Sequence, residues 1–163
     1  LSPEEIEAVL GHELGHFKKH HIIKRMCVMF PMIFVILFAT WYLIKIPSLY
    51  TGFGFAPSTD GKTIAPTLQY VGIHLLSLAF GGFSPIFTLI SNTFSRRHEF
   101  EADHFSVETC KACKPLVYAL IKLNKENLSE IQVPSIYSIF NYSHPPLLER
   151  IRACQKEDAY TRN

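Results

Sequence analysis

Two long stretches of this 163-residue sequence have no charge at all. Residues 26 to 44, MCVMFPMIFVILFATWYLI, contain no Asp, Glu, Lys or Arg, and neither do residues 64 to 94, IAPTLQYVGIHLLSLAFGGFSPIFTLISNTF. A helix crosses the hydrocarbon of a bilayer with about 20 apolar residues. The first run reaches that length, with about 28 Å of helical rise. The second exceeds it, with polar interruptions at Gln69, His74 and Ser77 and expected bends at Gly81-Gly82 and Pro85. Core helices of a soluble protein rarely run so long without a charge, so two transmembrane segments are expected, at 26–46 and 64–94. Both runs are internal and lack a small-residue cleavage site, which excludes a signal peptide. The sequence opens without Met and inside a helix signal, as expected for a fragment of a longer protein.

Cysteine is sparse as well. Cys27, Cys110, Cys113 and Cys154 do not make a disulfide framework in a chain of this kind. Cys110-Lys-Ala-Cys113 lacks the second pair that a zinc ribbon needs, and ordinary reduced thiols are expected. The net charge of +2 and the apolar content of 48% are those of an ordinary chain. No nucleic-acid partner is expected.

A strong helix start opens the sequence, LSPEEIEAVLGHELGHFKKHH. Ser2 is placed to be the N-cap, Pro3 stands at N1, and Glu5 at N3 completes a capping box. Ile6, Leu10, Leu14 and Phe17 make one apolar stripe at helical spacing, with His12 and His16 on another side. A loop rich in Gly and Pro occupies residues 45 to 63. After the second apolar run comes a helical region at about 95 to 130, with a break near Lys114-Pro115 and another at Val133-Pro134. A turn at NYSHPP precedes a last helix, LLERIRACQKED. Lys18, Lys19, Lys24 and Arg25 precede the first apolar run, and Arg96 and Arg97 follow the second. This distribution puts residues 1–25 and 95–163 on the cytosolic side of a two-span hairpin.

His12-Glu13-Leu14-Gly15-His16 has the chemistry of a catalytic zinc site. Two imidazoles four residues apart on a helix can bind one ion, and the intervening Glu13 is placed to take a proton from the attacking water. Gly15 leaves room for close approach of another backbone or a peptide. A catalytic zinc keeps three protein ligands and one open position. His20 continues the spacing but would lie about 12 Å along the helix from His12, too far to share an ion. A third His in the longer HExxHxxGxxH pattern is excluded by Lys19 and Ile22. The stretch SRRHEFEAD supplies carboxylates instead. Glu99 is assigned as the third ligand. Asp103, four residues on, is expected to accept the ring N–H of a ligand histidine. Glu101 points roughly 160 to 200° from that side and is rejected. His144 is a candidate hydrogen-bond donor to an oxyanion, and Arg150 a candidate partner for a carboxylate. On residues alone, a turn histidine and a solvated arginine are the simpler reading of these two. His21 and His74 have no spacing partner, and His74 reads as a polar group facing a bundle interior or cavity.

Together the segments LSPEEIEAVLGHELGHFK, SRRHEFEADHF, YALIKLNKENLS and YSHPPLLERIRA resemble the type I CaaX prenyl proteases, and GFGF fits more weakly. The resemblance implies a zinc enzyme of the endoplasmic reticulum or inner nuclear membrane, with seven spans around a large chamber, of which this chain is the C-terminal catalytic part. It implies His12, His16 and Glu99 as metal ligands and Glu13 as general base. Asp103 matches the acidic end of an ExxxD motif. The resemblance also implicates His144 and, more weakly, Arg150. The implied substrate is a protein with a prenylated C-terminal Cys, from which the last three residues are removed. Two positions depart from the pattern: His98 stands where an aromatic residue is usual, and Glu101 where Gln is common.

The expectation is therefore an all-α polytopic membrane protein with two transmembrane helices and cytosolic-side zinc-binding helices. It would hold one Zn²⁺, sit in the lipid bilayer and cleave prenylated CaaX proteins. Two other readings stand beside it: a membrane quality-control metalloprotease for unprenylated or misfolded proteins, and a non-catalytic scaffold that keeps a zinc.

Overall fold

A computed structural model describes residues 1–55, 66–128, 130 and 133–161. Among these residues the chain is all-helical. In order the helices are α1 (Pro3–Lys18), α2 (His21–Leu43), α3 (Pro47–Gly52), α4 (Pro66–Gly81), α5 (Ser84–Cys110), α6 (Lys114–Glu126), α7 (Ser135–Asn141) and α8 (Leu147–Thr161). Two compact units are present. One comprises Leu1–Lys24 with Ile86–Asn163, and the other Arg25–Pro85.

The first unit starts at the capping box. The Ser2 hydroxyl accepts the Glu5 N–H, and Glu5 accepts the Ser2 N–H at 2.7 Å. Two orphan donors of α1 are thereby satisfied at once. Glu5 also receives Lys122 Nζ of α6 at 2.7 and 2.8 Å, so the residue that starts α1 also ties it to α6. Lys122 and the Ser2 N–H hold the Glu5 carboxyl below the usual range, against the opposing effect of burial.

The buried face of α1 is not the expected apolar stripe. Ile6, Leu10, Leu14 and Phe17 are 55, 65, 48 and 74% exposed, whereas Glu5, Ala8, Gly11, His12 and Gly15 are buried. The reason is helix–helix distance. A Cβ added at Gly11 would stand 3.2 Å from Ser106 Oγ, and one at Gly15 would stand 3.0 Å from Ala102 Cα. The small residues of α1 and α5 let the two backbones approach where larger side chains would hold them apart. Ser106 donates its hydroxyl to the Ala8 carbonyl at 2.6 Å, which pins the contact. Beyond it lies a small core of Ala8, Val107, Cys113, Leu116 and Cys154.

Helix α1 ends at Lys18, with the Lys19 N–H on the Gly15 carbonyl, the His20 N–H on the Phe17 carbonyl, and His20 in the left-handed region at φ 55°. His20 thus leaves the helical path and starts the turn into α2. Cys113 and Cys154 form a disulfide between the starts of α6 and the middle of α8, contrary to the expectation of reduced thiols. Their spacing of 41 residues hides the pairing, while the nearer Cys110 stays free.

In the second unit, Tyr50 of α3 is fully buried and donates its hydroxyl to the Ile44 carbonyl at 2.7 Å. Gly72 of α4 makes room for that ring: a Cβ there would collide with the Tyr50 hydroxyl. Helix α2 has 23 residues, an 18-residue stretch of which has a mean hydropathy of 2.2, and starts five residues before the charge-free run. Its apolar side chains are exposed, Phe34 by 69% and Leu37 by 63%, where a soluble core helix would bury them. Among the described residues, α2 is long and apolar enough to cross a membrane by itself. The second apolar run is broken: α4 ends at Gly81 and α5 begins at Ser84, and the pair qualifies only as one bent span. The described residues thus hold one such helix, or two if the bent pair is a single span, and the break falls where the sequence places its bends, at Gly81-Gly82 and Pro85. The glycine pair, followed by Pro85, interrupts the backbone hydrogen bonding. The residues of the 45–63 loop beyond 55, the start of the 64–94 run and the link at 131–132 lie outside the described residues.

Candidate metal centre

Because Gly11 and Gly15 bring α1 against α5, His12 and His16 face Glu99. His12 Nε2 is 3.2 Å from His16 Nε2 and 3.6 Å from Glu99 Oε2, and His16 Nε2 is 3.4 Å from Glu99 Oε1. A tetrahedral zinc with ligand bonds of about 2.0–2.1 Å has ligand atoms about 3.3–3.4 Å apart. The His12–His16 separation and the separations to the two Glu99 oxygens lie near that edge length. The donor set of two imidazoles and one carboxylate also suits zinc, and among the described residues this is the group whose ligand atoms converge in this way. His12 and Glu99 are buried and His16 is half-buried.

Each ring must offer an unprotonated Nε2, so its proton belongs on Nδ1. For His12 this is arranged by Asp103, whose Oδ1 accepts from Nδ1 at 2.8 Å. Arg150 clamps the same carboxylate with both arms, Nε to Oδ2 at 2.8 Å and Nη2 to Oδ1 at 2.6 Å. Burial alone would raise the Asp103 carboxyl, but Arg150 and His12 hold it below its usual range. Burial opposes the charge on Arg150 as well, and the hydrogen bonds to Asp103 outweigh it and keep the guanidinium above its usual value. Burial and the neighbouring His12 push the His16 imidazole down, which favours the neutral form that a ligand needs.

The remaining candidates are placed as follows. Glu13 is exposed on the helix turn between the two histidines, open to water. His144 lies in the turn between α7 and α8 with Nδ1 3.1 Å from Glu99 Oε2, and its side chain is 67% exposed. Arg150 Nη1 is 3.7 Å from the same oxygen. Burial would raise Glu99, but His144 and the nearby cations hold it below its usual range. Glu101 faces away from this group and pairs with His21 and Arg97. His20 and His98 are not part of the converging group, and His98 instead stacks on His21 at 4.2 Å.

Two positioning residues escape a sequence-only reading. Arg96 of α5 donates to Ser138 of α7 and pairs with Glu149 of α8. Asn92, a turn earlier, donates to the carbonyls of Ile139 and Phe140 at 3.3 and 3.0 Å. Together they fix both sides of the turn that carries His144. The one signal in the sequence is spacing: Asn92, Arg96, Glu99 and Asp103 follow the 3–4 residue repeat of one helix face.

Residues 1–158 match the model of Peptidase family M48. The chain belongs to this family. Among curated relatives of this M48 chain, the human CAAX prenyl protease 1 homolog is 40% identical over 151 residues, covering 92% of this chain and 30% of the relative. The CAAX prenyl protease 1 of Saccharomyces cerevisiae is 31% identical over 158 residues, covering 93% of the chain and 35% of the relative. A solved structure, the crystal structure of S. mikatae Ste24p, superposes with a TM-score of 0.78 at 30% identity, covering 94% of this chain and 37% of that one. The chain thus spans about a third of the length of the curated relatives it matches.

Proposed function

We propose that this chain is the catalytic part of a zinc metalloendopeptidase that removes the C-terminal tripeptide of prenylated CaaX proteins. The convergence of His12, His16 and Glu99 at tetrahedral spacing carries this reading. Membership of Peptidase family M48 and relatives named CAAX prenyl protease 1 support the reaction and the substrate class.

His12, His16 and Glu99 would hold one Zn²⁺. Zinc supplies Lewis acidity at the scissile carbonyl and acidifies the attacking water. Glu13, exposed beside the ligands, takes the proton from that water and delivers it to the departing amine. His144, beside Glu99 and two-thirds exposed, donates a hydrogen bond to the oxygen that gains charge. Asp103 holds the His12 ring by its Nδ1–H, and Arg150 keeps Asp103 ionised and in place.

The membrane reading has its own support. The metal group belongs to one compact unit built from both flanks of the apolar region, Leu1–Lys24 and Ile86–Asn163. If α2 crosses a bilayer, the chain must cross back before the second flank for this unit to form. The broken α4–α5 segment is the span available for that return. The flanks rich in Lys and Arg then lie on the cytosolic side, in the endoplasmic reticulum or inner nuclear membrane. A substrate with a prenyl chain partitions into the bilayer, so an enzyme embedded there meets it at high local concentration.

The test uses the full-length protein. Glu13→Gln is expected to keep its zinc and to lose cleavage of a farnesylated CaaX peptide. Retained cleavage rejects Glu13 as base. Equal cleavage of farnesylated and bare peptides by the unaltered enzyme would replace the prenyl-specific reading with that of a quality-control protease.

A further inference from the structure

His12 has Asp103 to fix its ring, and His16 needs an equivalent partner. The structure offers a second histidine for this purpose. His21, 3% exposed at the start of α2, has its Nδ1 3.0 Å from His16 Nδ1. On the other side of the ring, His21 Nε2 is 3.2 Å from Glu101 Oε2. Glu101 is held in turn by Arg97, whose Nε donates to Oε1 at 3.0 Å. The His98 ring lies flat against His21, 4.2 Å away and 8° from parallel, so the imidazole can neither tilt nor flip freely.

From these contacts we infer that His21 and Glu101 form a relay that orients His16 and sets its tautomer as a metal ligand. The inference rests on the metal site proposed above. A metal on His16 Nε2 requires the ring proton on Nδ1, which then donates to His21 Nδ1. That leaves the His21 proton on Nε2, where Glu101 accepts it. The two rings and the carboxylate then have one consistent arrangement of protons. The opposite arrangement protonates His16 Nε2 and closes it to metal. Outer hydrogen-bond partners of ligand histidines raise ligand basicity and lock ring orientation, and their loss costs about 10- to 100-fold in metal affinity. The relay also gives roles to two further residues of α5: a carboxylate at Glu101 as terminal acceptor, and a second imidazole at His98 as the stacking wall.

The experiment measures zinc affinity of the full-length protein by chelator competition, and the visible spectrum of its cobalt-substituted form. His21→Phe keeps a flat ring against His98 and removes the acceptor. Its zinc affinity is expected to fall about 10- to 100-fold, with a changed cobalt spectrum and an unchanged helical circular dichroism signal. His21→Asn, which returns an acceptor near the Nδ1 position, is expected to recover part of the loss. Glu101→Leu, at a partly exposed position, is expected to weaken zinc binding in the same direction and by less. Wild-type affinity and spectrum in His21→Phe, no recovery in His21→Asn, or no effect of Glu101→Leu would each overturn the relay. Should His21→Phe fail to fold, Glu101→Leu decides alone. The underlying metal site is tested separately: if His12→Ala and Glu99→Ala bind zinc as the unaltered protein does, it is that site, not the relay, that has failed.

Discussion

Gly15 of α1 stands so close to Ala102 of α5 that a Cβ on it would be 3.0 Å from the Ala102 Cα, 3.1 Å from its carbonyl oxygen and 3.2 Å from Phe105 Cβ. Two of the three neighbours are backbone, which cannot swing aside. Gly15→Ala gains about 1 kcal/mol of helix propensity, but overpacking at such a contact costs about 1–3 kcal/mol. Overpacking is expected to win. The variant should melt lower and bind zinc more weakly, because α1 and α5 carry the proposed ligands His12, His16 and Glu99. A raised melting temperature with unchanged zinc affinity would show that the helices do not need this approach.

The clamp of Arg150 on Asp103 has two parallel hydrogen bonds inside the protein. Removing the guanidinium in Arg150→Met leaves a buried carboxylate without its cation, a loss of about 3–5 kcal/mol. Arg150→Lys should recover only part, since an ammonium cannot span both oxygens. Thermal unfolding of both variants checks the order. Equal stability of the Lys and Arg forms would mean that charge alone suffices.

Much of this arrangement is legible in the sequence. The capping box fixes where α1 begins, so the i, i+4 spacing of His12 and His16 follows from helix geometry. Glu99 and Asp103 share a face of α5 for the same reason. What the sequence does not show is the buried face of α1. Ile6, Leu10, Leu14 and Phe17 look like a core stripe, yet the contact surface is made by Gly11 and Gly15, and small residues carry little hydrophobic signal. The partners of His21 are not at a helical interval: His16 lies across the turn at His20, and Glu101 is 80 residues away. Long-range pairs such as Arg96 with Glu149 and Cys113 with Cys154 leave no periodic trace for similar reasons.

Arg96 provides a way to separate positioning of His144 from metal binding. It joins Ser138 to Glu149 on either side of the His144 turn and lies outside the ligand group. Arg96→Met is expected to lower kcat by about tenfold, equivalent to about 1.4 kcal/mol of lost transition-state stabilisation, while zinc content stays at the level of the unaltered protein. Unchanged kcat would remove Arg96 from the positioning of the turn.

Glu5 gives a pH dependence away from the metal. Its folded carboxyl is held below the usual range by Lys122 and the Ser2 N–H. The stability it contributes is therefore full above the unfolded carboxylate pKa and is lost as pH falls through the lower folded value. Glu5→Gln should melt lower than the unaltered protein at neutral pH, and the gap should close on acidification. A gap that stays constant with pH would show that Glu5 acts through its shape rather than its charge.

The most direct measurement is the zinc content of the purified full-length protein beside that of its Glu99→Ala and Glu99→Gln forms, with helical content checked in each. One zinc per chain in the unaltered protein, and its loss together with cleavage of a farnesylated peptide in both variants, is the expected result. A full equivalent of zinc in a folded Glu99→Ala protein would contradict a metal site completed by the carboxylate of α5.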